Sequence, residues 1–332
     1  MKKQAKPNAP TVVQNISLRN ESDSGLLPDS NKLIIWRYSD GRPGHDSQSL
    51  GLINALGKRA ICDVYDIEAP STISSLRCIA RGRPAANVTL PSPGLIIGAG
   101  RRTHLPVLAS KKAVGGKSVI LMRPTLPYAY YDYCLVPDHD TPPVLNNVIA
   151  TTGALNTIFA DSKKDPQLGV IMIGGPSKYF DWHDDAIISM IHTIITRGLT
   201  TWAVFDSPRT PETTRAQLKD VQVPGFQFFP YQHNSRDTLA TKLVKAANVW
   251  VTADSVSMLY ESLTAEAPTG IIPVPNKKPN KISSSLEILA YTGQCTFYKD
   301  WYEGSSLNAP KTNINEADRC AEIIFASLTE RT

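Results

Sequence analysis

Short apolar runs alternate with segments of helical periodicity along most of the chain. "KLIIWRY" (32–38) is an apolar run of strand length. "LGLINALG" then carries Leu52, Ala55 and Leu56 at helical spacing and closes on Gly57, which reads as a C-terminal cap. "CDVYDI" predicts a strand, "SSLRCIAR" a short helix, "PGLIIGAG" a buried strand, and "RRTHLPVLASKKA" a loop followed by a helix. "KSVILM", "YDYCLVP" and "NNVIATTG" read as further strands, and the polar, proline-bearing "DSKKDPQ" (161–167) as a linker.

The rhythm then restarts. "LGVIMIGGPSKYF" is a strand running into a glycine loop. "DDAIISMIHTIITRG" is a helix started by Asp184 or Asp185, striped by Ile187, Ile191, Ile194 and Ile195, and closed by Gly198. "TWAVFD", "GFQFFP", "VWVTAD" and "TGIIPV" predict strands. "PETTRAQLKD", "DTLATKLVKAAN", "SVSMLYESLTA", "SSSLEILAYTG" and "EADRCAEIIFASLTER" predict helices. Apolar strands alternating with helices make parallel sheets covered on both faces. The expected fold class is α/β, two Rossmann-like βαβ domains in tandem facing a central cleft. The expected boundaries are a disordered tail over 1–31, an N-terminal domain over 32–160 and a C-terminal domain over 161–332, with the last helix packing back on the first domain.

A length of 332 residues suits two domains, and 42% hydrophobic with 20% charged residues is ordinary for globular chains. The net charge of +5 fits anionic small molecules or an acidic membrane surface. Nucleic acid is not expected, because the basic residues form no run with interleaved aromatics. Five cysteines without a CxxC pair read as reduced thiols of a cytoplasmic protein. No apolar stretch has the length of a membrane span, and no apolar segment follows the N-terminal lysines as a secretory signal requires.

Ligands of such sheets bind beyond the carboxyl ends of the strands, and four stretches fall there. Asp40 to Gln48 reads as a glycine-rich polar loop containing Gly44 and His45, and a histidine there is a natural base at neutral pH. A lone loop histidine is more often structural. "GAGRRTHLP" offers Gly100, Arg101 and Arg102 as phosphate or carboxylate clamps, or as plain surface arginines. Gly174, Gly175, Ser177 and Lys178 have the parts of an anion cradle, although such a glycine pair is often only a tight turn. Asp254, Ser255 and Ser257 stand where a helix begins, either capping it or holding a diphosphate on its N-terminus. Glu261 falls two turns on, either solvated or facing a ribose diol. Arg209 in "FDSPRTP" is a further clamp. "PDHDTP" spaces its aspartates and His139 poorly for a metal, and no metal site is expected. GxSxG and P-loop fingerprints are missing, and so is GxGxxG, whose absence argues against a dehydrogenase.

Together "WRYSDGRPGHDSQSLGL", "LIIGAGRRTHLPV", "LVPDHD", "TTGALN", "IGGPSK", "DSPRTP" and "TADSVSMLYE" resemble the mitochondrial fission ELM1-like family, from about Trp36 to Pro273. That family includes plant proteins implicated in recruiting fission machinery and many bacterial members. It is similar in turn to GT-B glycosyltransferases. The resemblance implies a donor side with Glu261 on the ribose and "GGPSK" near the phosphates, and an acceptor side where "GRPGH" places His45 at the reaction centre. "APTG" (267–270) departs from the GxP that usually follows the glutamate helix.

The implied function is a metal-independent transfer of sugar from a nucleotide-sugar, which is substrate and not cofactor. His45 and Asp40 would be catalytic. Gly174, Gly175, Ser177, Lys178, Arg209, Asp254, Ser255, Ser257 and Glu261 would bind the donor, and Gly44, Gln48, Gly100, Arg101 and Arg102 the acceptor or phosphate. The acceptor would be an envelope or lipid-linked glycan, placing the protein in the cytoplasm and peripherally at the inner membrane. Tyr128, Tyr130 and Tyr131 would be exposed for that contact. The alternatives are a nucleotide-sugar epimerase of the same fold and a non-catalytic adaptor.

Overall fold

The computed structural model describes residues 15–18, 32–86, 90–160, 163–198, 201–278, 281–307 and 309–329. The chain divides into two compact units. One is Met1–Thr157 with Glu316–Thr332, the other Ile158–Asn315.

In the first unit, β1 (Asn15–Leu18), β2 (Lys32–Ser39), α1 (Pro43–Gly57), β3 (Ile61–Glu68), α2 (Thr72–Ala80), β4 (Leu95–Ala99), α3 (His104–Val114), β5 (Lys117–Leu121), β6 (Tyr133–Pro137) and β7 (Val148–Thr151) follow in order. The sheet order is β1-β3-β2-β4-β5-β6-β7. β1 is antiparallel to β3 and the other pairings are parallel. The order reverses at β2, whose neighbours are β3 and β4. The loops after β2 and β4 therefore splay apart there, as they do at ligand sites of doubly wound sheets. One face buries Trp36, Ile96, Ile120 and Val136 under α2 and α3 residues such as Ile79, Val107 and Leu108.

The second unit runs β8 (Asp165–Met172), α4 (Asp184–Arg197), β9 (Thr201–Phe205), α5 (Glu212–Lys219), β10 (Phe226–Phe229), α6 (Arg236–Lys245), β11 (Ala246–Thr252), α7 (Val256–Thr264), β12 (Thr269–Ile272), α8 (Lys281–Tyr291), β13 (Thr296–Phe297) and α9 (Tyr298–Tyr302). Its six parallel strands have the order β10-β9-β8-β11-β12-β13. Alternate residues cover the two faces. Ile171, Trp202, Val204 and Ile271 meet the isoleucine stripe of α4, while Val170, Met172, Ala203 and Val251 meet Leu243 of α6. Gly169 and Gly270 make room for Trp202 and Trp250, since a Cβ at either would stand 2.3 or 2.4 Å from the indole. The reversal here lies between β8 and β11.

The last helix, α10 (Glu316–Thr329), belongs to the first unit and packs on α1. It buries Ala317, Cys320, Ala321 and Ile324, and Arg59 pairs with Asp318 at 2.7 Å.

Several expectations are corrected. The stretch 40–48 is a loop only to Arg42, because Pro43 opens α1 at a position where its missing N–H costs nothing. Gly57 is the last helical residue, and Lys58 caps it in right-handed conformation, so no left-handed glycine is needed. Asp165 to Gln167 are not linker but the exposed start of β8, where the pairing with β11 is bulged and a proline is tolerated. Within 1–31, Asn15–Leu18 form a strand on β3 and are not tail, and the rest of that segment lies outside the described residues. Of the three tyrosines only Tyr130 is exposed. Tyr131 is buried, its hydroxyl donating to the His104 carbonyl at 3.1 Å. β13 and α9 carry no strong pattern in sequence. Trp301 and Tyr298 of α9 hold there by edge contacts to Trp250, with centroids 5.0 and 5.9 Å away.

Candidate functional site

The first unit gathers its polar groups where β2 and β4 end. Asp40 follows β2 with its carboxylate almost wholly buried, and His45 Nδ1 lies 3.0 and 3.1 Å from its two oxygens. A buried carboxylate on one ring nitrogen fixes the proton there and leaves Nε2 as acceptor. No hydrogen bond engages Nε2 among the described residues. Gly100 (φ +85°) lets the ring lie against backbone, because a Cβ would stand 2.2 Å from His45 Nδ1. Two stretches far apart in sequence thus meet, Asp40 to Gln48 and Gly98 to Pro106.

Beneath this pair is a charged network with no signal in sequence. Arg37, buried, grips Asp66 with Nε (2.5 Å) and a terminal nitrogen (2.7 Å), and reaches Asp46 at 3.1 Å and Ser49 at 3.2 Å. Ser39 donates to Asp46 at 2.6 Å. The network ties β2, β3 and α1 together under His45. Beside it opens a hollow of about 210 Å³ lined by Ser39, Asp40, Gly41, Asp66, Ile67, Glu68 and Arg102. Gly44 is exposed with open space above it, and Gln48 is one turn on from His45. Arg101 is exposed.

His104 was not among the sequence-predicted residues, yet it is the most perturbed base here. It is buried, and burial, with the Arg101 charge nearby, pulls it down to about 4. The Thr125 amide donates to its Nδ1 at 3.1 Å, so the proton sits on Nε2. Nε2 is buried with no partner among the described residues. A lone histidine opening a helix gives no sequence signal of this; only the fold brings Thr125 and Arg101 to it.

In the second unit the glycine pair does not form the expected anion cradle. The Gly174 amide donates to Thr252 Oγ1 (2.8 Å) and the Gly175 amide to Asp254 Oδ2 (2.9 Å). Gly174 has no room for a side chain, since a Cβ would stand 2.1 Å from Asp254 Oδ2. Ser177 folds on its own turn, accepting from the Tyr179 and Phe180 amides at 3.1 and 3.2 Å, and Lys178 lies over the Tyr179 ring. The pair is a scaffold and its donors point inward.

What the scaffold holds is Asp254. Its carboxylate is fully buried, takes the Gly175 amide, and pairs with Arg209 at 2.8 Å. Arg209 also donates to the Gly175 carbonyl at 2.8 Å and keeps 42% of its side chain exposed. Asp254 is thus not the cap of α7, a correction. Ser255 is the N-cap, and its side chain makes no capping bond. Leu259 N–H bonds the Ser255 carbonyl at 3.2 Å, so the first-turn amides of Val256, Ser257 and Met258 have no partner within the helix. Ser257 is exposed, and Glu261 lies one turn on along the same face. Loss of hydration, only partly offset by Arg236, pushes the Glu261 carboxyl up to about 7. No hydrogen bond engages that carboxyl among the described residues.

Among the described residues no cluster of three His, Cys, Asp or Glu is arranged to hold a metal ion, and no helix is long and apolar enough to cross a membrane.

The family model described as "Mitochondrial fission ELM1" matches residues 43–328. An uncharacterized protein of Rickettsia prowazekii (strain Madrid E), RP120, is 27% identical over 351 residues, covering 89% of this chain and 98% of its own. Among solved structures, a UDP-N-acetylglucosamine 2-epimerase from Listeria monocytogenes, so described provisionally, superposes with a TM-score of 0.56 at 10% identity, over 90% of this chain and 97% of that one. The UDP-GlcNAc 2-epimerase of Neisseria meningitidis bound to UDP-GlcNAc superposes with a TM-score of 0.51 at 10% identity, over 90% and 100%. At such identities the likeness is one of fold, two Rossmann-like domains of GT-B type.

Proposed function

We propose that this chain, which belongs to the mitochondrial fission ELM1 family, is a metal-independent glycosyltransferase moving a sugar from a nucleotide-sugar to an envelope or lipid-linked acceptor. The observation that carries the reading is the Asp40–His45 pair, 3.0 Å apart, with Nε2 open. A buried carboxylate on Nδ1 steadies the imidazolium that forms when Nε2 takes a proton. In the transfer, an acceptor hydroxyl gives that proton to His45 as its oxygen bonds the anomeric carbon. The bond from that carbon to the diphosphate breaks, and the leaving group carries off the electron pair.

The second unit would bind the donor. The first-turn amides of α7, without a partner inside the helix, and Arg209, held by Asp254, suit the diphosphate. Glu261, half-protonated near neutrality, suits a ribose diol as acceptor or donor. Ser255 and Ser257 add hydroxyls at the same helix end. In the first unit, Arg101, Arg102, Gly44, Gln48 and Gly100 flank His45 on the acceptor side. Gly174, Gly175, Ser177 and Lys178 serve by shaping the loop.

The test is thermal stabilisation by a panel of nucleotides and nucleotide-sugars on wild type, Glu261→Ala and His45→Ala. A ligand of the folded state raises the melting temperature. The expected result is a shift with a nucleotide-sugar that is lost in Glu261→Ala and kept in His45→Ala, while transfer falls roughly 10²–10⁴-fold in the latter. No shift at millimolar ligand overturns the reading in favour of an adaptor.

A nucleotide-sugar epimerase is the second reading, favoured by the descriptions of the two superposed structures. It needs no acceptor. Proton NMR of the nucleotide-sugar incubated with the protein alone separates the two, since only an epimerase generates a second sugar epimer there.

A further inference from the structure

From Ala69 to Tyr131 the chain holds nine lysines and arginines and not one aspartate or glutamate. The remainder holds 26 basic residues against 30 acidic. The positive charge of this protein is therefore a local property of one part of the first unit.

α2 presents that part to solvent. Ser75 faces inward, fully buried, and α2 packs against α3. The opposite face carries Ile73, 64% exposed, and Leu76, 51% exposed, with Ala80 continuing the stripe at helical spacing. Arg77 lies beside them, and Arg81 and Arg83 follow at the helix end, all exposed. None of the three pairs with a carboxylate among the described residues. The Ala85 amide donates to Ser110 Oγ at 3.1 Å, which brings the Arg81–Arg83 corner against the last turn of α3, where Lys112 is also exposed.

Single exposed apolar residues are commonplace. Two large ones adjacent on one helix face, ringed by unpaired arginines, are a different matter. We propose that the outer face of α2, formed by Ile73, Leu76, Arg77, Arg81 and Arg83, docks the protein on an anionic lipid surface. Apolar tips of this kind insert at the boundary of headgroups and acyl chains, and arginines at the rim meet anionic headgroups. Charge selects this occupant over the others. A second copy would set arginines against arginines with no acid on either face to relieve them. A nucleic acid would find no aromatic side chain on this face to stack upon, and two aliphatic tips it has no use for. The inference stands independently of the reaction, since these residues lie outside the groups assigned to it.

The experiment is sedimentation of the full-length protein with vesicles of phosphatidylcholine alone and of phosphatidylcholine mixed with phosphatidylglycerol, at low and high salt. Binding is expected only to the mixed vesicles, weakened by salt. Each of Arg77→Gln, Arg81→Gln and Arg83→Gln should weaken it about fivefold at low salt. The double variant Ile73→Ser, Leu76→Ser should remove the part that survives high salt. All five side chains are exposed, so the melting temperature should stay that of wild type in each variant. Failure to pellet with mixed vesicles overturns the proposal. Equal binding to the neutral ones overturns it too, as does wild-type binding by the α2 variants. A gel shift of duplex DNA or self-association, lost in the arginine variants while vesicle binding is absent, would assign the face to the other occupant.

Discussion

Gly174 shows how far one residue can govern a loop without a side chain of its own. An alanine methyl there would collide with Asp254 Oδ2 and drive that carboxylate off Arg209 and the Gly175 amide. A buried charge without its partners is costly, so Gly174→Ala should lose on the order of 3–5 kcal/mol in urea unfolding. Glu261 makes a prediction in pH. Its carboxyl titrates near 7 in the folded chain against an ordinary 4.5. Below about pH 4.5 it is neutral in both states and carries no penalty. Between about pH 4.5 and 7 only the unfolded chain is ionised, so stability is lost progressively as pH rises to 7 and the loss is complete above it. Glu261→Gln should therefore stabilise the unliganded protein at pH 8 by on the order of 2–4 kcal/mol, and the gain should vanish below about pH 4. An equal gain at both would show that the carboxyl is not perturbed. His104 should show the reverse character by ¹⁵N NMR, a neutral ring protonated on Nε2 that does not titrate above about pH 5.

At the scale of elements, α10 is the case to probe. It closes the chain, yet its apolar side is core of the first unit. Ile324 is fully buried there. Ile324→Ala should cost about 2–4 kcal/mol by the transfer and cavity terms. Hydrogen exchange should report that loss in β2 and β3 and leave β8 and β11 unchanged. Its sequence pattern announces an amphipathic helix, expected to pack back on the first domain, but does not name α1 as the helix it covers, because an apolar stripe has no address. α1 shows a different limit. Its buried residues Leu52, Ala55 and Leu56 were legible from spacing. Its first turn, with Pro43, Gly44 and His45, was not. Proline and glycine together read as loop, although proline at the first helical position is favoured.

At the scale of the whole molecule, two cores on one chain carry opposite pH responses. His104 in the first unit has its folded value lowered to about 4 against 6.5, so its contribution is present above 6.5 and lost as pH falls through 4. Glu261 in the second unit has its folded value raised, so its contribution grows as pH falls from 7 to 4.5. Hydrogen exchange between pH 7 and 4.5 should therefore show β4 and β5 losing protection relative to β11 and β12. Units that shift together would contradict this. The charge is also uneven at this scale, since nine basic and no acidic residues fall between Ala69 and Tyr131 while the rest of the chain holds 26 basic against 30 acidic.

The sequence alone determined the class of this protein. Apolar strand runs, helical stripes and glycines at strand ends are local facts, and hydrophobic periodicity is enough to turn them into two βαβ sheets. It also marked the strand-end loops as the candidates, since ligands of such sheets bind there. The tertiary structure decided which atoms in those loops remain open. Gly174 and Gly175 look alike as an anion cradle or a scaffold until Thr252 and Asp254, distant in sequence, claim their amides. Asp254 looks like a cap until Arg209 and Gly175 take it. His104 looks like nothing until the fold buries it beside Arg101 and gives its Nδ1 the Thr125 amide. The physical reason is common to all three. A polar group takes the best partner within about 3 Å, and when that partner is far along the chain, only the packed fold can name it.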